Sequence, residues 1–115
     1  MRDVAAMRDR FLRDRLPVRL GHVASNLARL GDWAEGEHSE QALIDLMREI
    51  AHQLEWSGDS GLAELADMQR EVCFWRRAFP ATAGQAVVAS RARDMSDRLL
   101  KLSGLLDAPD RLREG

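Results

Sequence analysis

Along most of this chain apolar residues return every third or fourth position, the spacing of helices that bury one face. Val4, Met7 and Phe11 share a stripe while Arg2, Arg8, Asp9, Arg13 and Asp14 cover the remaining surface, which predicts a short amphipathic helix over residues 3–15. A second helix starts near Pro17, a residue suited to a first helical turn and hostile to a helix interior. Leu16, Leu20, Val23, Leu27 and Leu30 form its heptad-like seam. Gly31 marks its predicted end, and residues 32–38 read as a polar connection.

Ser39 is placed to cap a third helix, whose buried stripe is Leu43, Leu46, Met47, Ile50 and Leu54 and which runs out near Trp56. Gly58-Asp59-Ser60-Gly61 is a compact turn, with Asp59 or Ser60 positioned to cap the fourth helix. Leu62, Leu65, Met68, Val72, Trp75 and Phe79 line that helix, which stops at Pro80. Thr82-Ala-Gly-Gln85 has the form of a capping box, and Val88, Ala92, Met95, Leu99, Leu102 and Leu106 carry a fifth segment. Long helices joined by short turns predict an all-α fold, an antiparallel four-helix bundle with an additional short N-terminal helix. Residues 1–115 read as a single domain with its core over 16–106 and a frayed tail at 107–115.

Composition agrees with this pattern. Hydrophobic residues make up 45% and charged residues 31%, with three prolines and no tyrosine, so helix formers dominate. The chain supplies enough residues for one core and too few for two ordinary domains. No apolar run approaches the roughly 20 residues that span a bilayer, and the N-terminus lacks the apolar stretch of a signal peptide. The single cysteine, Cys73, forms no internal disulfide and reads as a small packing residue. A cytoplasmic address is the expectation. Met1-Arg-Asp recurs as Met7-Arg-Asp, a repeat that helical composition produces on its own or that marks Met7 as an alternative start to Met1.

The net charge of −2 conceals a segregation. Residues 1–31 carry seven arginines against Asp3, Asp9 and Asp14; residues 32–75 carry Arg48 and Arg70 against eleven acids; residues 76–115 carry eight bases against five acids. A basic, acidic, basic order suits complementary faces on neighbouring helices, or two surfaces offered to different partners. The basic ends are interleaved with acids, unlike the unbroken positive stripe that tracks a phosphate backbone, so nucleic acid is not the expected partner.

Candidate chemistry centres on His52. At about 100° per residue it falls opposite the buried stripe of its helix, which predicts an exposed imidazole. Glu49-Ile-Ala-His52 has the Glu-x-x-His spacing of di-iron bundles, but such a site needs a second copy of the motif and two further glutamates, all facing inward. Glu35-Gly-Glu-His38 lies in a predicted loop, and neither His22 nor Cys73 completes a zinc pattern. No metal, cofactor or small-molecule substrate is expected. Trp75 and Phe79 read as core; Trp33 and Trp56 stand at helix ends, where a large side chain lids the bundle or anchors a partner, and Phe74 lies off the buried stripe.

Ala51-His52-Gln-Leu54-Glu-Trp-Ser57, followed by a glycine break and Leu62-Ala-Glu-Leu65, resembles the histidine phosphotransfer (HPt) domains of two-component signalling. That resemblance implies a small helical bundle whose surface histidine, here His52, relays a phosphoryl group. The family's pattern places a lysine three residues after the histidine and a glycine four after it; this chain has Glu55 and Trp56 there, with Asp45 and Glu49 on the same face. Negative charge then stands where the anion would be steadied, and bulk where a partner would approach.

A second resemblance is broader. The run from Arg8 to Leu30, then Leu54-Glu-Trp-Ser57, then Ala63-Glu-Leu-Ala-Asp-Met-Gln69 with Trp75, is similar to a family of small uncharacterised helical proteins from cyanobacteria. It implies a photosynthetic bacterial source and a structural or binding role, with no site residues to carry over. The resulting expectation is a non-enzymatic helical module that binds another protein, or itself as a homodimer with the N-terminal helix docked in trans. Asp45, Glu49, Glu55, Trp56, Trp33 and Phe74 are its interface candidates, and phosphotransfer through His52 is the alternative.

Overall fold

The computed structural model describes residues 3–78 and 84–104; among them five α-helices follow one another and no strand occurs. The first, α1, is Val4–Leu12, capped by Asp3, whose carboxylate accepts the Ala6 N–H at 3.1 Å. It ends three residues before the predicted limit because Arg15 turns extended to start α2, Leu16–Glu35, with Pro17 in its first turn. Helix α3 spans Glu40–Trp56, and the Ser39 hydroxyl accepts the Ala42 N–H at 3.1 Å, the cap expected at that residue. A single 3-10 turn, Gly58–Ser60, comes next, and Gly61 sits at φ 79°, a left-handed conformation that glycine adopts without penalty. Ser60 Oγ then accepts the Leu62 N–H at 3.2 Å just ahead of α4, Ala63–Ala78. Helix α5 is Gln85–Ser103 and closes on Gly104 at φ 74°.

Most of the predicted stripe residues are buried; Met7, Leu16, Leu62 and Leu102 are only partly so, and Val4 of the α1 stripe is 45% exposed. Leu20, Val23, Leu27 and Leu30 from α2 meet Leu43, Met47, Ile50 and Leu54 from α3, Leu65, Val72 and Trp75 from α4, and Val88, Ala92, Met95 and Leu99 from α5 in one continuous core. Each of the larger side chains contributes about 1.5–3 kcal/mol on transfer from water. Phe11 is the buried residue of α1.

Three boundaries differ from the sequence expectation. Gly31 does not end α2, which continues through it to Glu35. The residue is buried against α5: a Cβ there would stand 3.1 Å from Arg93 Cγ and 3.3 Å from the Ala89 carbonyl oxygen. Its small size serves close helix approach, and its helix-breaking tendency is overridden by packing. At the start of α5 the N-cap is Gly84, with no side-chain cap, so Gln85 is the first helical residue and not the far end of a capping box. The same helix stops at Ser103, short of Leu106, because Gly104 takes the left-handed conformation. Phe79, Pro80, Thr82, Leu106 and the tail at 107–115 lie outside the described residues.

Helix α5 packs closely along α2, α3 packs on α4 and on α2, and α1 rests against α3. The α2–α5 seam is made of small residues, with Ala24, Gly31 and Ala34 on one side and Ala89, Ala92 and Ser96 on the other. Ser96 Oγ donates to the Ala24 carbonyl at 2.7 Å across it. One step toward solvent, Arg93 pairs with Asp32 at 3.2 Å and with Glu35. The residue numbers rise along α2 as they fall along α5, so the two run antiparallel.

Candidate interaction surface

The face of α3 turned from the core carries Asp45, Arg48, Glu49, His52, Glu55 and Trp56, spaced so that successive turns stack them along one side. Helix α1 lies beside this face. Val4 and Met7 join Asp45, Arg48, Glu49 and His52 around a surface cavity of about 450 Å³.

The charges on this face are partly answered. Asp45 accepts from Gln41 Nε2 at 2.9 Å and stands 3.5 Å from Arg48 Nη1. Glu55 approaches His52 Nδ1 at 4.0 Å. The His52 ring stacks on Trp56, with centroids 5.4 Å apart and an interplanar angle of 13°, and Trp56 in turn tilts against Phe11 at 5.8 Å. Arginine, carboxylates and stacked rings thus form a continuous strip along the α1–α3 boundary.

His52 was expected to be exposed; its side chain keeps 35% of its accessible surface, with one ring face covered by Trp56. A wheel drawn on α3 alone lacks α1, whose Phe11 draws Trp56 inward and with it the ring that covers one imidazole face. Trp56 is accordingly half-buried, a lid over the α1–α3 junction as well as a surface residue.

The other two candidates stand apart. Trp33 is half-buried near the end of α2 and stacks on His38, centroids 4.3 Å apart. Phe74 is 49% exposed on α4. Cys73 is a partly buried free thiol packed against the core. Among the described residues no three His, Cys, Asp or Glu side chains converge as a metal site requires, so the Glu49–His52 spacing has no companions there. No helix among them is long and apolar enough to cross a membrane.

No protein-family model, curated protein or solved structure matches the chain.

Sequence reading missed two features. Arg19 on α2 is 13% exposed, with Nη1 3.8 Å from Asp59 in the 3-10 turn and with Nε and Nη1 lacking hydrogen-bond acceptors among the described residues. The heptad seam beside it drew attention to the leucines, and nothing in the local pattern separates a tucked arginine from a solvated one. The second is a pair of cross-helix clasps. Arg91 donates from Nε and Nη2 to Glu71 at 2.8 and 2.9 Å, and Arg98 does the same to Glu64 at 2.6 and 2.8 Å. The hydrogen bonds that Arg98 donates hold the Glu64 carboxyl below the ordinary glutamate value, and acceptance by Glu71 and Glu64 raises Arg91 and Arg98 further. The segregation of charge along the sequence was the available signal for these pairs.

Proposed function

We propose that the chain is an antiparallel four-helix bundle, α2 to α5, with α1 appended, and that it works without catalysis as a protein-interaction or structural module. The observation that supports this reading is the α1–α3 strip. Its Trp56–His52 stack and the 45% exposed Val4 offer apolar contact, and Asp45, Glu49 and Glu55 offer negative charge around it. A basic amphipathic helix complements that combination, with its apolar side against Val4, Met7 and Trp56 and its lysines or arginines near the acids. The cleanest test compares capture from the native host by the wild-type chain and by Glu49→Lys with Glu55→Lys. Loss of a specific partner from the variant, at unchanged helix content, supports the reading; retention of every specific partner removes the acidic strip from it.

Phosphotransfer through His52 is the second reading, and the ring's remaining exposure is what favours it. Against it stand Glu55 at 4.0 Å, which repels the incoming anion, and Trp56 stacked on the ring. Incubation with acetyl phosphate or a panel of phosphorylated receivers separates the two. Acid-labile label that disappears in His52→Ala establishes the relay, and its absence across the panel ends that alternative.

A further inference from the structure

Helices α4 and α5 do not press together as α2 and α5 do. Between them runs a groove of about 340 Å³ floored by Met68 and Met95. Glu64, Asp67 and Glu71 form its α4 wall; Arg91, Asp94 and Arg98 form its α5 wall. Glu64 and Glu71 are seven residues apart, as are Arg91 and Arg98, so each helix presents its charges two turns apart at matching heights. Asp94, 3.7 Å from Arg91, is the acid within the basic stripe, and Arg70, paired with Asp67, is the base beside the acidic one. One turn beyond the Glu71–Arg91 clasp the stripes end in apolar residues that face water. Phe74 on α4 is 49% exposed and Val87 on α5 is 57% exposed.

This surface is acidic along one helix, basic along the other and apolar at one end of both. We propose that it binds a second copy of the chain about a two-fold axis parallel to the helices. Such an axis sets α4 of each copy over α5 of the other at the same height. Glu64 then faces the partner's Arg98, Glu71 faces the partner's Arg91 and Phe74 covers the partner's Val87, while Asp67 and the partner's Asp94 make the like-charged contact at mid height, each already paired with an arginine of its own chain, Arg70 and Arg91. The alternative axis in the same plane, across the helices, lays acid on acid and base on base, which is repulsive. The pairing is isologous and closes at two chains. The arginines already hold their glutamates with both nitrogens, so the partner meets a pre-ordered array. A patch only about 15 Å long and two helices wide lies at the small end of specific interfaces, so the dimer forms with rising concentration and is not permanent. This inference uses a different face from the α1–α3 strip, and either stands if the other fails.

Sedimentation equilibrium of the full chain tests it. The mass is expected to rise with concentration from the 13.0 kDa of one chain toward twice that value. Phe74→Asp with Val87→Asp, both at exposed positions, keeps the helical circular dichroism and stays at one chain's mass. A second pair of variants tests the charge pattern: one chain with Glu64→Arg and Glu71→Arg, another with Arg91→Glu and Arg98→Glu. Each alone repels its own copy, while a mixture is complementary at both halves and associates at a concentration lower by at least about tenfold. A single-chain mass for the wild type at every concentration overturns the proposal. So does a dimer that survives the Phe74 and Val87 changes, or a charge variant that self-associates as well as the mixture does.

Discussion

Helix α5 meets α2 through small side chains and α4 through long charged ones. On the α2 side Ala89, Ala92 and Ser96 lie against Ala24, Gly31 and Ala34, close enough that a single methyl added at Gly31 would stand 3.3 Å from a backbone oxygen. On the α4 side the backbones stay apart, methionines fill the floor, and arginine–glutamate pairs bridge the gap in solvent. The first contact excludes water and is sensitive to volume; the second is screened by salt and sensitive to charge. One helix is thereby anchored on one flank and left adaptable on the other. The adaptable flank is where the proposed second chain would dock.

The sharpest way to break this contrast is to enlarge the anchored seam. Gly31→Leu places a branched side chain against the Ala89 carbonyl and Arg93, and a loss of about 1–3 kcal/mol is expected in urea unfolding. Gly31→Ala is milder, because the gain of up to about 1 kcal/mol in helix propensity offsets part of the tight contact. If Gly31→Leu unfolds at the wild-type midpoint, the seam is not close-packed. Next in size is Ser96→Ala, which removes the 2.7 Å hydrogen bond to the Ala24 carbonyl. Its expected cost is about 0.5–1.5 kcal/mol, with no dependence on salt.

The two flanks also differ in how far the sequence revealed them. The buried stripes of α3 and α4 were legible because leucine, isoleucine and methionine at helical spacing have one sensible use, and Ser39 was legible as a cap because its role is local. Gly31 misled for the opposite reason. The same residue ends a helix or lets one approach, and only the position of Ala89, far along the chain, decides between them. The charge segregation pointed to paired helices without naming the partners; Glu64 with Arg98 requires the register of α4 on α5, which tertiary packing sets. At the candidate surface, Asp45, Glu49, Glu55 and Trp56 fall on α3 as the periodicity placed them, yet the contact of Phe11 with Trp56 depends on α1, beyond the reach of any single-helix projection.

On the adaptable flank the expected effects shrink. Arg91→Gln removes one clasp and one charge, and because Arg91 and Glu71 are both partly solvated the change in stability stays below about 1 kcal/mol. Raising the salt concentration is expected to erase the difference from wild type, whereas the deficit of Gly31→Leu persists. A salt-resistant loss in Arg91→Gln instead indicates that the guanidinium stem packs on the methionine floor, and the contrast between the flanks narrows.

The smallest effect is a matter of protons. Glu64 titrates below the ordinary glutamate value because Arg98 donates two hydrogen bonds to its ionised form. A carboxyl depressed in the folded state adds stability that is complete above its unfolded value and disappears as the pH falls through the lowered folded one. A carboxyl carbon titration by NMR is expected to place Glu64 below the ordinary glutamate value, and Arg98→Gln is expected to return it toward that value. If Glu64 of the wild type titrates at the ordinary value, the clasp does not persist in solution, and the pre-ordered array that would receive a second chain loses one of its two pairs.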